Sequence, residues 1–233
     1  MKEIGILMAA GLGSRMSPLT DTVAKPLVKV KGISLIETVI AALEKRGVEE
    51  IFVVTGYRAD QFEPLVLRYH NVSLVYNAEY ATKNNINSVA VVADKISSSD
   101  CFICESDLYV PEVDVLCRNL SHSGYFGKMV EGYSDDWVFD LDISGRITRI
   151  GKRGTDTYNM VGISYFKQSD AAKISAAITR DVKVPENANL FWDEVVDRLV
   201  KSGELDLVVH EVSAKAIVEC DTMDDLRRLE KAL

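Results

Sequence analysis

Residues Met8 to Val30, MAAGLGSRMSPLTDTVAKPLVKV, form the segment around which the rest of the chain is arranged. The apolar run Ile4 to Met8 reads as a buried strand that stops at Ala9 and Ala10, and Gly11 and Gly13 follow where the backbone has to turn closely. With no side chains at those two positions, backbone N–H groups can face an anion. Arg15 and Lys25 add one forked and one point-like positive charge, the combination that a polyphosphate with spread negative charge requires. A glycine turn after a strand also arises for steric reasons alone, so the meaning of this loop rests on the two cations beside it.

Two common phosphate loops are excluded by particular residues. A dinucleotide fingerprint needs a third glycine where its helix packs on the strand, and Met16 stands after Arg15 in that place. A P-loop ends in Gly-Lys-Ser/Thr, whereas Lys25 is followed by Pro26. The full pattern, Gly-x-Gly-x-Arg, Pro18-Leu19-Thr20, Lys25-Pro26 and Gly32, resembles the signature of nucleotidyltransferases that make activated sugars and alcohols from a nucleoside triphosphate.

The 233 residues and a hydrophobic content of 47% fit a single α/β domain, 1–233, with a full core. A formal net charge of −8, with 35 acidic against 27 basic residues, argues against a nucleic-acid partner while leaving room for small charged substrates. No run of about eighteen apolar residues exists to span a bilayer, and the N-terminal apolar run lacks the flanks of a signal peptide, so a cytoplasmic protein is expected. Cys101 and Cys104 form the one Cys-x-x-Cys among four cysteines. They read as small hydrophobes in a strand, because no second Cys or His pair sits at zinc-ligand spacing.

Periodicity predicts strands over Ile51–Thr55, Val72–Tyr76 and Cys101–Glu105, alternating with helices over Ser34–Arg46 and Ala59–Tyr69. Ser34 and Glu37 are spaced as a capping box, and Gly47 closes that helix. An asparagine-rich loop over 77–87 precedes a helix over Ser88–Ala93, and Pro111 is expected to open another helix. The second half predicts strands over Tyr125–Glu131, Trp137–Leu141, Ile147–Ile150 and Tyr158–Phe166, with a hairpin at Ser144-Gly145. Helices follow over Asp170–Thr179 and Leu190–Lys201, then Leu207–Val212 and Ala216–Cys220 are expected to close the sheet before a last helix over Met223–Leu233.

Asp107 falls just past a strand end, on the edge where open α/β sheets bind ligands. The strand period places Glu219 and Asp221 on one face, and with Asp107 they would offer oxygen ligands to a hard divalent cation such as Mg²⁺. Solvated edge carboxylates and helix caps have the same local sequence, and the phosphate loop is what favours the metal. Trp137 and the run Phe191-Trp192-Asp193 put large ring faces beside acidic groups, a combination that suits a quaternary ammonium unless the rings are simply helix core.

Taken together these residues, with Gly56-Tyr57, Asn84-Asn85 and Ser88, are similar to the CTP:phosphocholine cytidylyltransferases of the nucleotidyltransferase superfamily along most of the chain. That resemblance implies a Rossmann-like domain, a mixed, mostly parallel sheet flanked by helices with a small β-hairpin insertion. It implies that Arg15 and Lys25 are catalytic triphosphate ligands, with Ala9, Ala10, Gly11 and Gly13 shaping the loop and Tyr80, Asn85 and Ser88 around base and ribose. It further implies that Asp107 and Asp221 hold Mg²⁺ and that Trp137, Phe191, Asp193 and Glu219 surround the acceptor's cationic headgroup. Phe191 departs from the pattern, since a tyrosine is expected there in the choline enzymes. The implied substrates are CTP and phosphocholine. Phosphoethanolamine, 2-aminoethylphosphonate and sugar 1-phosphates stay open as acceptors, as do a nucleotide-binding regulatory module and the oligomeric state.

Overall fold

The computed structural model describes residues 2–232. Its main sheet begins with β1 (Glu3–Ala9), whose ladder neighbours are supplied by later strands, while β2 (Lys29–Val30) and β3 (Ile33–Ser34) form a separate small hairpin. Helix α1 (Leu35–Arg46) buries Leu35, Ile36, Val39, Ile40 and Leu43, the stripe expected from sequence. The Glu37 carboxylate accepts from the Ser34 N–H at 3.2 Å and the Ser34 hydroxyl at 2.6 Å, and Gly47 ends the helix at φ 87°. Next come β4 (Glu50–Thr55), α2 (Glu63–Arg68) with Pro64 in its first turn, and β5 (Val72–Tyr76).

Two short helices, α3 (Ile86–Ala90) and α4 (Ala93–Ile96), replace the single helix expected at 88–93. They lead into β6 (Asp100–Glu105) and the two-residue β7 (Leu108–Tyr109). No helix follows Pro111, because residues 110–123 are turns and irregular chain. Val115, Leu116 and Leu120 are buried there, and Arg46 of α1 donates to the carbonyls of Leu116 and Arg118, so this backbone is satisfied from outside.

The expected hairpin is the far end of two long strands, β8 (Gly124–Leu141) and β9 (Ile147–Phe166), whose near ends belong to the main sheet. Register shifts between Val130 and Tyr133, and again between Ser134 and Trp137, bend the far end into an arm. Helices α5 (Gln168–Asp181) and α6 (Trp192–Lys201) follow, then β10 (Val208–Glu211), β11 (Val218–Glu219) and α7 (Met223–Ala232).

The seven-stranded sheet runs β10-β8-β9-β6-β1-β4-β5. It is parallel at β10–β8, β6–β1, β1–β4 and β4–β5 and antiparallel where β9 meets its two neighbours. Of the two C-terminal strands expected to close it, only β10 does so. β11 instead pairs antiparallel with β7, outside the main sheet.

Two apolar cores cover opposite faces of the sheet. Cys104 lies in one, with α1, and Cys101 in the other, with α5 and α6, so the two thiols face apart and are buried as hydrophobes. A third cluster joins Met16, Val28 and Leu35 to Cys220, Leu226 and Leu229, seating the N-terminal loop on α7.

Gly124 marks a close approach, for a Cβ there would stand 2.0 Å from the Val208 carbonyl oxygen. Gly124→Ala should therefore destabilise the protein by about 1–3 kcal/mol, because the β10 backbone must shift away from β8. Urea unfolding at equilibrium measures this, with an unchanged midpoint counting against the close approach.

Candidate active site

The carboxyl ends of β1 and β6 and the loop after β1 enclose a cavity of about 330 Å³, lined by Ala9, Gly11, Gly13, Arg15, Lys25, Tyr80, Ser106 and Asp107 among others. Gly13 adopts φ 66°, and a Cβ there would meet Lys25 Cβ at 2.8 Å, so only glycine lets the loop close over the lysine stem. Nothing lies within 4 Å of the Cβ position of Gly11, which leaves open space for a ligand. Thr20 ties the loop down by donating from its hydroxyl to the Gly13 carbonyl at 2.9 Å.

Ala10 is absent from the wall and acts through its carbonyl, which accepts from the Tyr57 N–H at 3.1 Å. Gly56 beside it makes room for Tyr80, whose Cβ and Cγ would lie 2.6 Å from an added methyl. Tyr80 thus reaches the cavity as expected. Asn85 and Ser88 do not. Asn85 Oδ1 accepts from the Trp192 N–H at 2.9 Å, and Ser88 is buried as acceptor for Asn77 Nδ2 at 3.2 Å, so both fix the loop and α6 from behind.

Lys25 is buried with its ammonium 2.6 Å from Asp107 Oδ2 and bonded to Asp221 Oδ1, while Arg15 pairs with Asp221 Oδ2. Burial opposes its charge, but Asp107 and Asp221 outweigh that and hold its pKa above the ordinary lysine value. Asp107, Glu219 and Asp221 each offer a carboxylate oxygen within 4.8 Å of the others. The second oxygen of Asp107, Oδ1, is buried without a hydrogen-bond partner. An all-oxygen set with one uncommitted buried oxygen fits a hard cation such as Mg²⁺.

A second cavity, about 460 Å³, adjoins the first at Arg15. Trp137 and Phe191 stand edge to face in its wall, ring centroids 5.5 Å apart, and Glu219 and Asp221 complete the side nearest the first cavity. The Lys152 ammonium already sits in this aromatic corner, 5.9 Å from the Trp137 ring and 5.5 Å from the Phe191 ring. Glu105, Asp135 and Asp136 add carboxylates to the same wall. Burial together with Asp107, Glu219 and Asp193 pushes Glu105 well above the usual carboxylate range, and burial with Asp107 and Asp221 raises Glu219 to about 8.

Asp193 is not on that wall. It is buried behind it, beside Glu105 and Gly162, and accepts from the Tyr125 hydroxyl at 3.1 Å. Trp192 is core, with its ring stacked on Tyr125 at 5.8 Å. Sequence reading missed Glu105, Asp135, Asp136, Lys152 and Gly162. Glu105 was within reach, since the strand period puts it on the same side as Asp107. Gly162, at φ 77°, makes room for Glu105, whose Oε2 would be 2.8 Å from an added Cβ.

The nucleotidyl transferase family matches residues 4–124, the half that carries the loop and the first cavity. The chain belongs to the nucleotidyl transferase family. It is 48% identical to a 2-aminoethylphosphonate cytidylyltransferase of Lancefieldella rimae over 97% of this chain and 91% of that protein. It is 31% identical to a choline-phosphate cytidylyltransferase of Streptococcus pneumoniae over 98% of this chain and 97% of that one. The solved structure of a CTP:phosphocholine cytidylyltransferase from Streptococcus pneumoniae superposes with a TM-score of 0.90 at 29% identity, covering 100% of this chain and 99% of the other. In this nucleotidyltransferase no helix among the described residues is long and apolar enough to cross a membrane.

Burial raises the Asp193 carboxyl from 3.8 to about 7, against the opposing Tyr125 hydrogen bond, with Glu194 adding to the rise. A folded-state pKa above the unfolded one gives stability that is complete below about pH 4 and is lost as pH climbs through 7. Asp193→Asn should therefore flatten the fall in melting temperature between pH 5 and pH 8, in steps of about one pH unit. A fall as steep in the variant as in the parent would mean that Asp193 carries no such proton.

Proposed function

We propose that this nucleotidyltransferase moves a cytidylyl group from CTP to 2-aminoethylphosphonate and releases pyrophosphate. A phosphonate oxygen of the acceptor attacks the α-phosphorus of CTP, a P–O bond forms, and the bond to the departing pyrophosphate breaks. Lys25 and Arg15 line the first cavity and neutralise charge gathering on that leaving group. Asp107, Asp221 and Glu219 would hold Mg²⁺, which when bound supplies Lewis-acid stabilisation of the phosphate oxygens. No covalent enzyme intermediate is required, and holding acceptor and nucleotide in adjoining cavities supplies proximity.

The observation that carries the choice of acceptor is the wall around Trp137 and Phe191. Its aromatic corner is already filled by the primary ammonium of Lys152, and Asp135 and Asp136 stand in the same wall beside Glu105 and Glu219, whose carboxyls burial raises above their usual range but which still accept hydrogen bonds. A primary ammonium donates hydrogen bonds to carboxylates, whereas a trimethylammonium cannot and would have to displace Lys152 to reach both ring faces. The 48% identity to the aminoethylphosphonate enzyme points the same way. Phosphocholine is the second reading, supported by the Trp137–Phe191 pair and by the close superposition on the pneumococcal enzyme.

A pyrophosphate-release screen crosses four nucleoside triphosphates with 2-aminoethylphosphonate, phosphoethanolamine, phosphocholine and glucose 1-phosphate. CTP with 2-aminoethylphosphonate should give the highest kcat/KM, ahead of phosphocholine by about tenfold or more. The opposite order would establish the quaternary-ammonium reading.

Two substitutions separate the acceptors independently of the nucleotide. Asp136→Asn should raise KM for 2-aminoethylphosphonate by the equivalent of about 1 kcal/mol with little effect on phosphocholine. Trp137→Ala should raise KM for phosphocholine by about 1–2 kcal/mol with KM for CTP unchanged. Equal effects of both variants on both acceptors would assign the two residues to packing.

A further inference from the structure

The cluster at the end of β6 contains its own counter-ion. We infer that Lys25 is a stand-in cation for the metal site: in the free protein its ammonium occupies Asp107 and Asp221, so a divalent cation is admitted only together with the triphosphate. The inference rests on the nucleotidyltransferase reading of the site and is independent of the acceptor.

Geometry supplies the argument. The Lys25 ammonium lies 2.6 Å from Asp107 Oδ2 and bonds Asp221 Oδ1, two of the three carboxylates close enough to share one ion. Arg15 takes the other oxygen of Asp221. Of the four oxygens on these two aspartates, only Asp107 Oδ1 is left without a partner. Two carboxylates are thus balanced by two cations, and the charge of the pair-on-pair cluster is closed.

The lysine cannot simply step aside. Its side chain is 9% exposed, its stem is clasped by Gly13, and Pro26 follows it directly. An incoming divalent cation would meet an ammonium at contact range, or would have to expel it unpaired from a buried site, and either alternative is costly. A triphosphate removes the conflict. Its oxygens offer Lys25 and Arg15 new partners in the cavity both residues already line, and the aspartates are released to the metal. When pyrophosphate departs, the lysine returns and the metal loses its ligands. The same four side chains therefore close the site at rest and open it in the reaction.

The test is Mn²⁺ binding to the full chain without acceptor, followed by electron paramagnetic resonance of the unbound ion. Lys25→Met leaves Asp107 and Asp221 without their ammonium and should bind Mn²⁺ at least about tenfold more tightly than the parent protein in the absence of CTP. Adding Asp107→Asn to that variant should remove the gain, placing the ion at this cluster. Should circular dichroism show Lys25→Met unfolded, Arg15→Gln, which removes an exposed side chain and frees only the Oδ2 of Asp221, is expected to gain about threefold. Parent and folded variant binding Mn²⁺ equally well without nucleotide would overturn the inference. A protein inactive on every acceptor could still pass this test, so failure here and failure of the proposed reaction are distinguishable.

Discussion

A ladder of two residue pairs holds the active site together. Val218 and Glu219 of β11 pair with Tyr109 and Leu108 of β7, and the Cys220 N–H donates to the Asp107 carbonyl at 3.0 Å. Through it a segment near the C-terminus is fixed beside the end of β6, so that Asp221 and Asp107 face the same lysine. Like charges brought that close repel, and the ladder is tolerated because Lys25 and Arg15 neutralise it. The third apolar cluster anchors the arrangement from beneath, binding the phosphate loop through Met16 to Leu226 and Leu229 of α7. Loop, clustered carboxylates and last helix are one mechanical unit.

Arg15 lines both cavities and so joins them. On one side lies the glycine loop with Tyr80, on the other the acidic and aromatic wall. Its side chain is largely exposed, whereas that of Lys25 is buried. A buried cation and an exposed one act differently: under the proposed reaction both would meet the triphosphate, the buried one with less screening by solvent.

The sequence made the parallel half of the sheet readable because each of its strands is a short apolar run between polar turns, and the Ser34–Glu37 cap and Gly47 closed α1 as expected. Lys25, Asp107 and Asp221 were legible for a related reason, since each sits just after a strand or within the loop whose chemistry is explicit. The irregular stretch after Pro111 was not, because its order is imposed by Arg46 and by scattered buried contacts rather than by a local period. Asn85 and Ser88 were expected around base and ribose, and in the fold Asn85 holds the Trp192 N–H while Ser88 accepts from the Asn77 side chain, away from the wall of the first cavity. The acidic wall escaped notice since Glu105, Asp136 and Lys152 come from three strands and meet only through the folding of the arm.

The placement of that wall also bears on how one reaction can serve several acceptors. The nucleotide loop and Asp107 lie before Gly124, within the portion shared across the family. Asp135 and Asp136 lie within the second register shift of the arm, Trp137 and Lys152 pair just past it, and Phe191 caps α6. A bulged arm tolerates substitution better than a central parallel strand packed on both faces. Under the proposed reaction the acceptor wall thus rests on the arm, while Lys25, Asp107 and Asp221 are held by the sheet and the β7–β11 ladder. Lys152, opposite Trp137 in the β8–β9 ladder, fills the ring corner with the cation that an aromatic pair attracts.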